Sequence, residues 1–197
     1  MFGSMSAIRL FVALIPPATV RTELAMLAVR MTGVRWVPEQ NFHLTMRFIG
    51  ETSPEKLERY SEKLTRVRVE PFILPVENVG VFPARGPAKT LWAGVGNAHT
   101  RLFQLRKQID EALLAVDGGL DVRHFHPHFT LGRLGEDHEP KELEKFLARH
   151  KSCEAPPFRV SEFHLMASEL RQGSADQSGA PVYRSVQAFP LQAKPAP

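Results

Sequence analysis

Two histidines 85 positions apart, His43 and His128, are each followed two residues later by a threonine, Thr45 and Thr130, and then by an apolar residue. The segments His43-Leu44-Thr45-Met46-Arg47-Phe48-Ile49-Gly50-Glu51 and His128-Phe129-Thr130-Leu131-Gly132-Arg133-Leu134-Gly135-Glu136 align without a gap. Histidine titrates near neutral pH, so one neutral imidazole and one protonated imidazole can serve as the base and acid of a single proton-transfer reaction. A hydroxyl close to each ring can donate a hydrogen bond to an oxyanion as charge builds. One His-x-Thr-x carries little information, because a lone histidine is more often a surface or core residue and threonine is a common strand residue. The duplication reverses that balance, and it extends further: Pro54-Glu55-Lys56-Leu57 answers Pro140-Lys141-Glu142-Leu143, shifted by one residue.

The elements that position these side chains follow from alternation. A strand sends successive side chains to opposite faces, which puts His43 and Thr45 on one face and Leu44, Met46 and Phe48 on the other. His128 and Thr130 oppose Phe129 and Leu131 in the same way. The apolar faces can bury against helices, and a pseudo-two-fold axis relating the strands would bring both imidazoles and both hydroxyls together. By the same parity Arg47 shares the face of His43 and Thr45. Strict alternation turns Arg133 away from His128, although Gly132 inside the strand marks a place where a bulge can re-aim the next side chain.

The sequence resembles the 2H phosphoesterase superfamily, and within it the bacterial and archaeal RNA 2',3'-cyclic phosphodiesterases, also called 2'-5' RNA ligases. Both motifs carry the resemblance, together with Arg9-Leu10-Phe11-Val12-Ala13-Leu14, Arg35-Trp36-Val37-Pro38, Gly80-Val81-Phe82-Pro83 and Leu91-Trp92-Ala93-Gly94-Val95, so it covers nearly the whole chain. It implies an α+β fold of two pseudo-symmetric lobes, each an antiparallel sheet with outer helices, facing across a central groove. It also implies His43 as proton donor, His128 as proton acceptor, and Arg133 as a phosphate contact; by parity Arg47 is the competing candidate, with a deeper place as a structural ion-pair partner as its alternative. The near-symmetry of the motifs does not itself distinguish the two histidines.

A 2',3'-cyclic phosphate is a strained diester that opens by in-line attack, with a base on the entering oxygen and an acid on the leaving oxygen. Two opposed histidines meet that demand, with Thr45 and Thr130 donating to the non-bridging oxygens, and no metal or cofactor is required. The expected partner is an RNA or oligonucleotide end bearing a 2',3'-cyclic phosphate, tRNA fragments among them.

Composition is consistent with that chemistry. The 197 residues are 43% apolar, enough for a folded core, and the net charge of +4 with a pI near 9.5 suits an anionic partner without demanding one. A single cysteine, Cys153, cannot form an intramolecular disulfide or a Cys-based metal site, which fits a reducing cytoplasm. The apolar run Leu10 to Ile15 ends in Pro16-Pro17 and reads as a first strand instead of an export signal, and no run approaches a membrane span. Residues 1–5 read as an alternative start or a tag, and the whole of 1–197 as one bilobal domain and a monomer.

Helical spacing recurs at Val20, Leu24, Leu27 and Met31, ending near Gly33; at Leu57, Tyr60 and Leu64 after Ser53-Pro54; at Leu102, Leu105, Ile109 and Leu113, stopping before Gly118-Gly119; and at Leu143, Phe146 and Leu147 after Pro140. Strands are expected over 72–81, 90–95, 158–167 and 182–189, with a polar loop over 173–179.

Two other readings compete. His124, His126 and His128 alternate, so an extended strand would place three imidazoles on one side as a zinc set, making a metal-dependent hydrolase. Pro127 between them disturbs regular pairing, and His43 would then have no role. A non-catalytic RNA-binding module is the other alternative, against which both complete motifs argue.

Overall fold

The computed structural model describes residues 8–97, 100–117, 124–169 and 182–193. In chain order the elements are β1 (Ile8–Leu14), α1 (Ala18–Met26), β2 (Val34–Trp36), β3 (Leu44–Thr52), α2 (Pro54–Leu64), β4 (Phe72–Phe82), β5 (Thr90–Gly94), α3 (Thr100–Asp117), β6 (His128–Leu134), α4 (Pro140–Arg149), β7 (Glu154–Val160), β8 (Glu162–Glu169) and β9 (Val182–Pro190). The fold is α+β, with the strands paired antiparallel in the order β7-β4-β5-β6-β3-β1-β8-β9 and β2 added along β6.

This sheet consists of two four-stranded halves, β9-β8-β1-β3 and β6-β5-β4-β7, joined where β3 meets β6 through the one pair Leu44–Phe129. The halves exchange strands. β4 follows the first motif in sequence but pairs with β5, and β8 follows the second motif but pairs with β1. The stretch over 158–167, expected as one strand, is two: β7 lies in one half and β8 in the other, and Ser161 marks the crossing.

Alternation decides which face each residue takes. Leu10, Val12 and Leu14 of β1, with Leu44 and Met46 of β3, pack against Leu102, Leu105 and Ile109 of α3 and the rest of the main core. Phe11, Ala13 and Met166 form a separate small cluster with Ile15 and Tyr183 on the opposite, open face of the sheet. Helix α2 starts as its sequence dictates: the Ser53 hydroxyl accepts the Lys56 N–H at 3.4 Å, Pro54 occupies the first turn, and Tyr60 and Leu64 are buried. Pro140 likewise opens α4, which buries Leu143 and Phe146. Helix α1 is shorter than its apolar spacing suggests, ending at Met26, with Leu27 as its C-cap. The Gly118-Gly119 stop and the 173–179 loop lie outside the described residues.

Candidate active site

The two motifs occupy equivalent places at the junction of the halves. His43 immediately precedes β3 and His128 opens β6. Because Leu44 pairs antiparallel with Phe129, the next residues along run in opposite senses, and His43 lies toward Thr130 while His128 lies toward Thr45. Thr45 pairs with Ala13 and Thr130 with Trp92, both on the open face. The structure thus brings all four motif side chains to that face around one axis.

Each imidazole is held by its own approach segment. A single 3-10 turn, Glu39–Asn41, presents the Asn41 carbonyl to His43 Nδ1 at 2.7 Å, and the His126 carbonyl lies 2.7 Å from His128 Nδ1. A carbonyl can only accept, so both Nδ1 atoms must carry the hydrogen. In each ring Nε2 is then the nitrogen that gains or loses a proton, an acceptor when the ring is neutral and a donor when it is protonated.

Both strands bulge at the same step. Thr45 pairs with Ala13 and Arg47 with Val12, which leaves Met46 extra; Thr130 pairs with Trp92 and Gly132 with Leu91, which leaves Leu131 extra. A bulge inverts the parity of the residues beyond it. Arg133 is therefore turned to the open face, as Gly132 suggested, where its Nη1 donates to the Thr90 hydroxyl at 2.7 Å. The matching bulge at Met46, which no glycine announces, turns Arg47 the other way. Its guanidinium is buried on the helix face, 2.7 Å from Asp110 of α3, so the parity that put Arg47 beside His43 does not hold and Arg47 is an ion-pair partner within the core. The residue of β3 equivalent to Arg133 is Phe48, 53% exposed. The symmetric site therefore has a cation on one side and an aromatic ring on the other.

Rings line both sides. His43 packs between Phe11 and Tyr183, with centroids at 5.0 and 4.9 Å. His128 lies edge-on to Phe82 at 5.0 Å, with Trp92 and His126 beyond. Trp92 lies across Gly80, where any Cβ would collide with the indole, so glycine is what lets the ring lie flat on β4. Tyr183 comes from the far end of the chain, and no local pattern marks it.

Burial sets the electrostatics. It pushes the pKa of His43 below the usual imidazole value; the bond to the Asn41 carbonyl partly offsets this, and the charges of His128 and Arg133 add to the lowering. His128 is lowered for the same first reason, offset by its bond to the His126 carbonyl and reinforced by His126 and Arg133. Burial raises the Tyr183 phenol, against the pull of Arg133. Arg133 thus acts on His43, His128 and Tyr183 alike, and an anion beside it would raise both histidines again.

The three-histidine arrangement has lost its premise. The strand starts only at His128, so 124–127 do not alternate as a strand, and His126 packs edge-on between Phe82 and Trp92. Among the described residues no three His, Cys, Asp or Glu side chains come together as a metal set.

A two-lobed α+β fold with one His-x-Thr strand contributed by each half defines the two-histidine class that the motifs anticipated. The family model described as LigT like Phosphoesterase matches residues 15–92 and again 95–175, one match for each motif. The chain belongs to the LigT-like phosphoesterase family. It is 31% identical over 162 residues to a protein of Aeropyrum pernix named RNA 2',3'-cyclic phosphodiesterase, covering 81% of this chain and 88% of that one. A protein of the same name from Archaeoglobus fulgidus is 29% identical, with 92% of this chain and 99% of the relative covered. Among solved structures, TT0787 of Thermus thermophilus superposes with a TM-score of 0.77 at 26% identity, covering 94% of this chain and 99% of that one. E. coli LigT complexed with 3'-AMP does so with a TM-score of 0.73 at 26% identity, covering 94% and 98%.

Proposed function

We propose that this protein is an RNA 2',3'-cyclic phosphodiesterase that opens a terminal cyclic phosphate to a 2'-phosphomonoester. The observation that carries the reading is the pair of Nδ1–carbonyl bonds, which commits one Nε2 from each lobe to the same open face beside two threonines. His128 Nε2 takes a proton from water as the water oxygen bonds to phosphorus. The bond from phosphorus to the 3'-oxygen breaks, and His43 Nε2–H protonates the departing oxygen. Thr45, Thr130 and Arg133 hold the non-bridging oxygens.

The names of the relatives support the substrate class, and the family match supports the chemistry. If an RNA 5'-hydroxyl replaces water, the same two proton transfers form a 2'-5' linkage, which makes 2'-5' ligation a second activity of the site. The chain acts as one bilobal domain, a cytoplasmic monomer working on RNA ends such as those of tRNA fragments. No helix among the described residues is long and apolar enough to cross a membrane.

The test is incubation of chelator-treated protein with an oligonucleotide ending in a 2',3'-cyclic phosphate, followed by identification of the end group. A 2'-phosphate with a free 3'-hydroxyl is the expected product. A 3'-phosphate would reverse the assigned direction of ring opening, and an unchanged cyclic end would remove the proposed activity.

A further inference from the structure

We propose that Arg106 of α3 is a positioning residue for the first motif, doing for β3 with a side chain what a neighbouring strand does for β6. The two motif strands bulge at equivalent residues, Met46 and Leu131, and both residues are fully buried. A buried peptide carbonyl at a bulge needs a donor that the regular ladder no longer supplies. For Leu131 that donor is backbone: β2 lies along β6, and the Val37 N–H reaches the Leu131 carbonyl at 2.8 Å. No such strand is found at the corresponding place on β3, which among the described pairings meets β6 only at Leu44. There the Met46 carbonyl accepts from Arg106 Nη1 instead.

The guanidinium is itself fixed. Arg106 Nε donates to Asp110 Oδ2 at 2.7 Å, while Arg47, turned inward by the same bulge, holds Asp110 Oδ1 at 2.7 Å. The Arg106 side chain is 11% exposed, and its Cζ stands 5.0 Å from the centroid of Phe125. Phe125 directly precedes His126, whose carbonyl orients His128. One guanidinium therefore braces the bulge after Thr45 and abuts the segment that leads into His128. Without it, the Met46 peptide loses its donor and β3 is free to move toward regular alternation, which shifts Thr45 and His43 relative to His128.

The inference rests on the two-histidine reading, and the experiment separates the two. Arg106→Met and Arg106→Lys are compared with wild type on the cyclic-phosphate oligonucleotide, at a temperature well below the Tm of each variant. The His43 imidazole resonance is followed in the same samples. A displacement of reacting groups by a fraction of an ångström is costly, so Arg106→Met is expected to lower kcat by about 10-fold or more. KM is expected to stay within about 2-fold, because no substrate contact is removed. The His43 resonance should move. Lysine offers one nitrogen where arginine offers a fork, and should recover only part of kcat.

A merely structural role would lower Tm and leave kcat and the His43 signal at their wild-type values, and that result overturns the proposal. If Arg106→Met does not fold, Arg106→Lys decides on the same readouts. If wild type does not open the cyclic ester, the functional reading fails by itself, and the His43 resonance still decides whether Arg106 positions the motif.

Discussion

Leu44 and Phe129 form the one pair that joins β3 to β6, and the residues on either side of it are the histidines and threonines of the two motifs. Both side chains are fully buried, so the axis relating the two halves is anchored in the core while the groups that flank it face outward. A strand pairing at a buried position fixes how His43 stands to His128. Acid and base can work in one transition state only if that relation is fixed.

If both imidazoles act in the same step, His43→Ala and His128→Ala should each reduce hydrolysis by roughly 100-fold or more, with little change in Tm. Ligation should fall with it, since it uses the same two proton transfers. Thr45→Ala and Thr130→Ala should be milder, because a remaining donor or water partly replaces the hydroxyl. Wild-type turnover in either histidine variant, measured with purified protein, removes that histidine from the mechanism.

The pH dependence is set by the sign of the shifts. One ring must be neutral and the other protonated, which gives a bell whose limbs belong to the coupled pair. Burial and the Arg133 charge lower both histidines in the free protein, so the bell in kcat/KM should centre on the acid side of the ordinary imidazole value, about 6.5. A bound phosphate anion raises both, so the bell in kcat should lie at higher pH. Matching kcat and kcat/KM profiles would show that the anion does not sit against the two rings.

Arg133 and Arg47 should part company when each is changed to methionine. Arg133→Met removes the exposed cation on the open face and should weaken kcat/KM with Tm nearly unchanged. Arg47→Met removes a buried hydrogen bond to the Asp110 carboxylate and should cost about 1.5–3 kcal/mol of stability, read in a urea titration. A larger loss of substrate binding in Arg47→Met than in Arg133→Met would contradict the placement of the two side chains.

Chelation offers a further check. With acid, base and anion stabilisers all supplied by side chains, activity should survive EDTA and exhaustive dialysis, assayed before and after on one preparation. Loss on chelation with recovery on adding zinc would return the site to His124, His126 and His128.

The sequence by itself determined the pairing of the two motifs. His-x-Thr repeated at matched places puts imidazole and hydroxyl on one side of each strand, because strand parity is a local property of the backbone. The starts of α2 and α4 were equally legible, since Ser53, Pro54 and Pro140 act within one turn. What the tertiary structure alone decided depends on pairing with distant residues. A bulge is a mismatch between two strands, and nothing in Met46-Arg47 announces that Met46 will be left without a partner, so Arg47 leaves the face that strict alternation gives it, whereas Gly132 marked the bulge that re-aims Arg133. Tyr183 reaches His43, and Arg106 reaches Met46, across long stretches of chain, through packing that no periodicity within either segment encodes. The strand exchange of β4 and β8 is of the same kind: their alternation specifies a strand, while the choice of neighbour is made by the core they close.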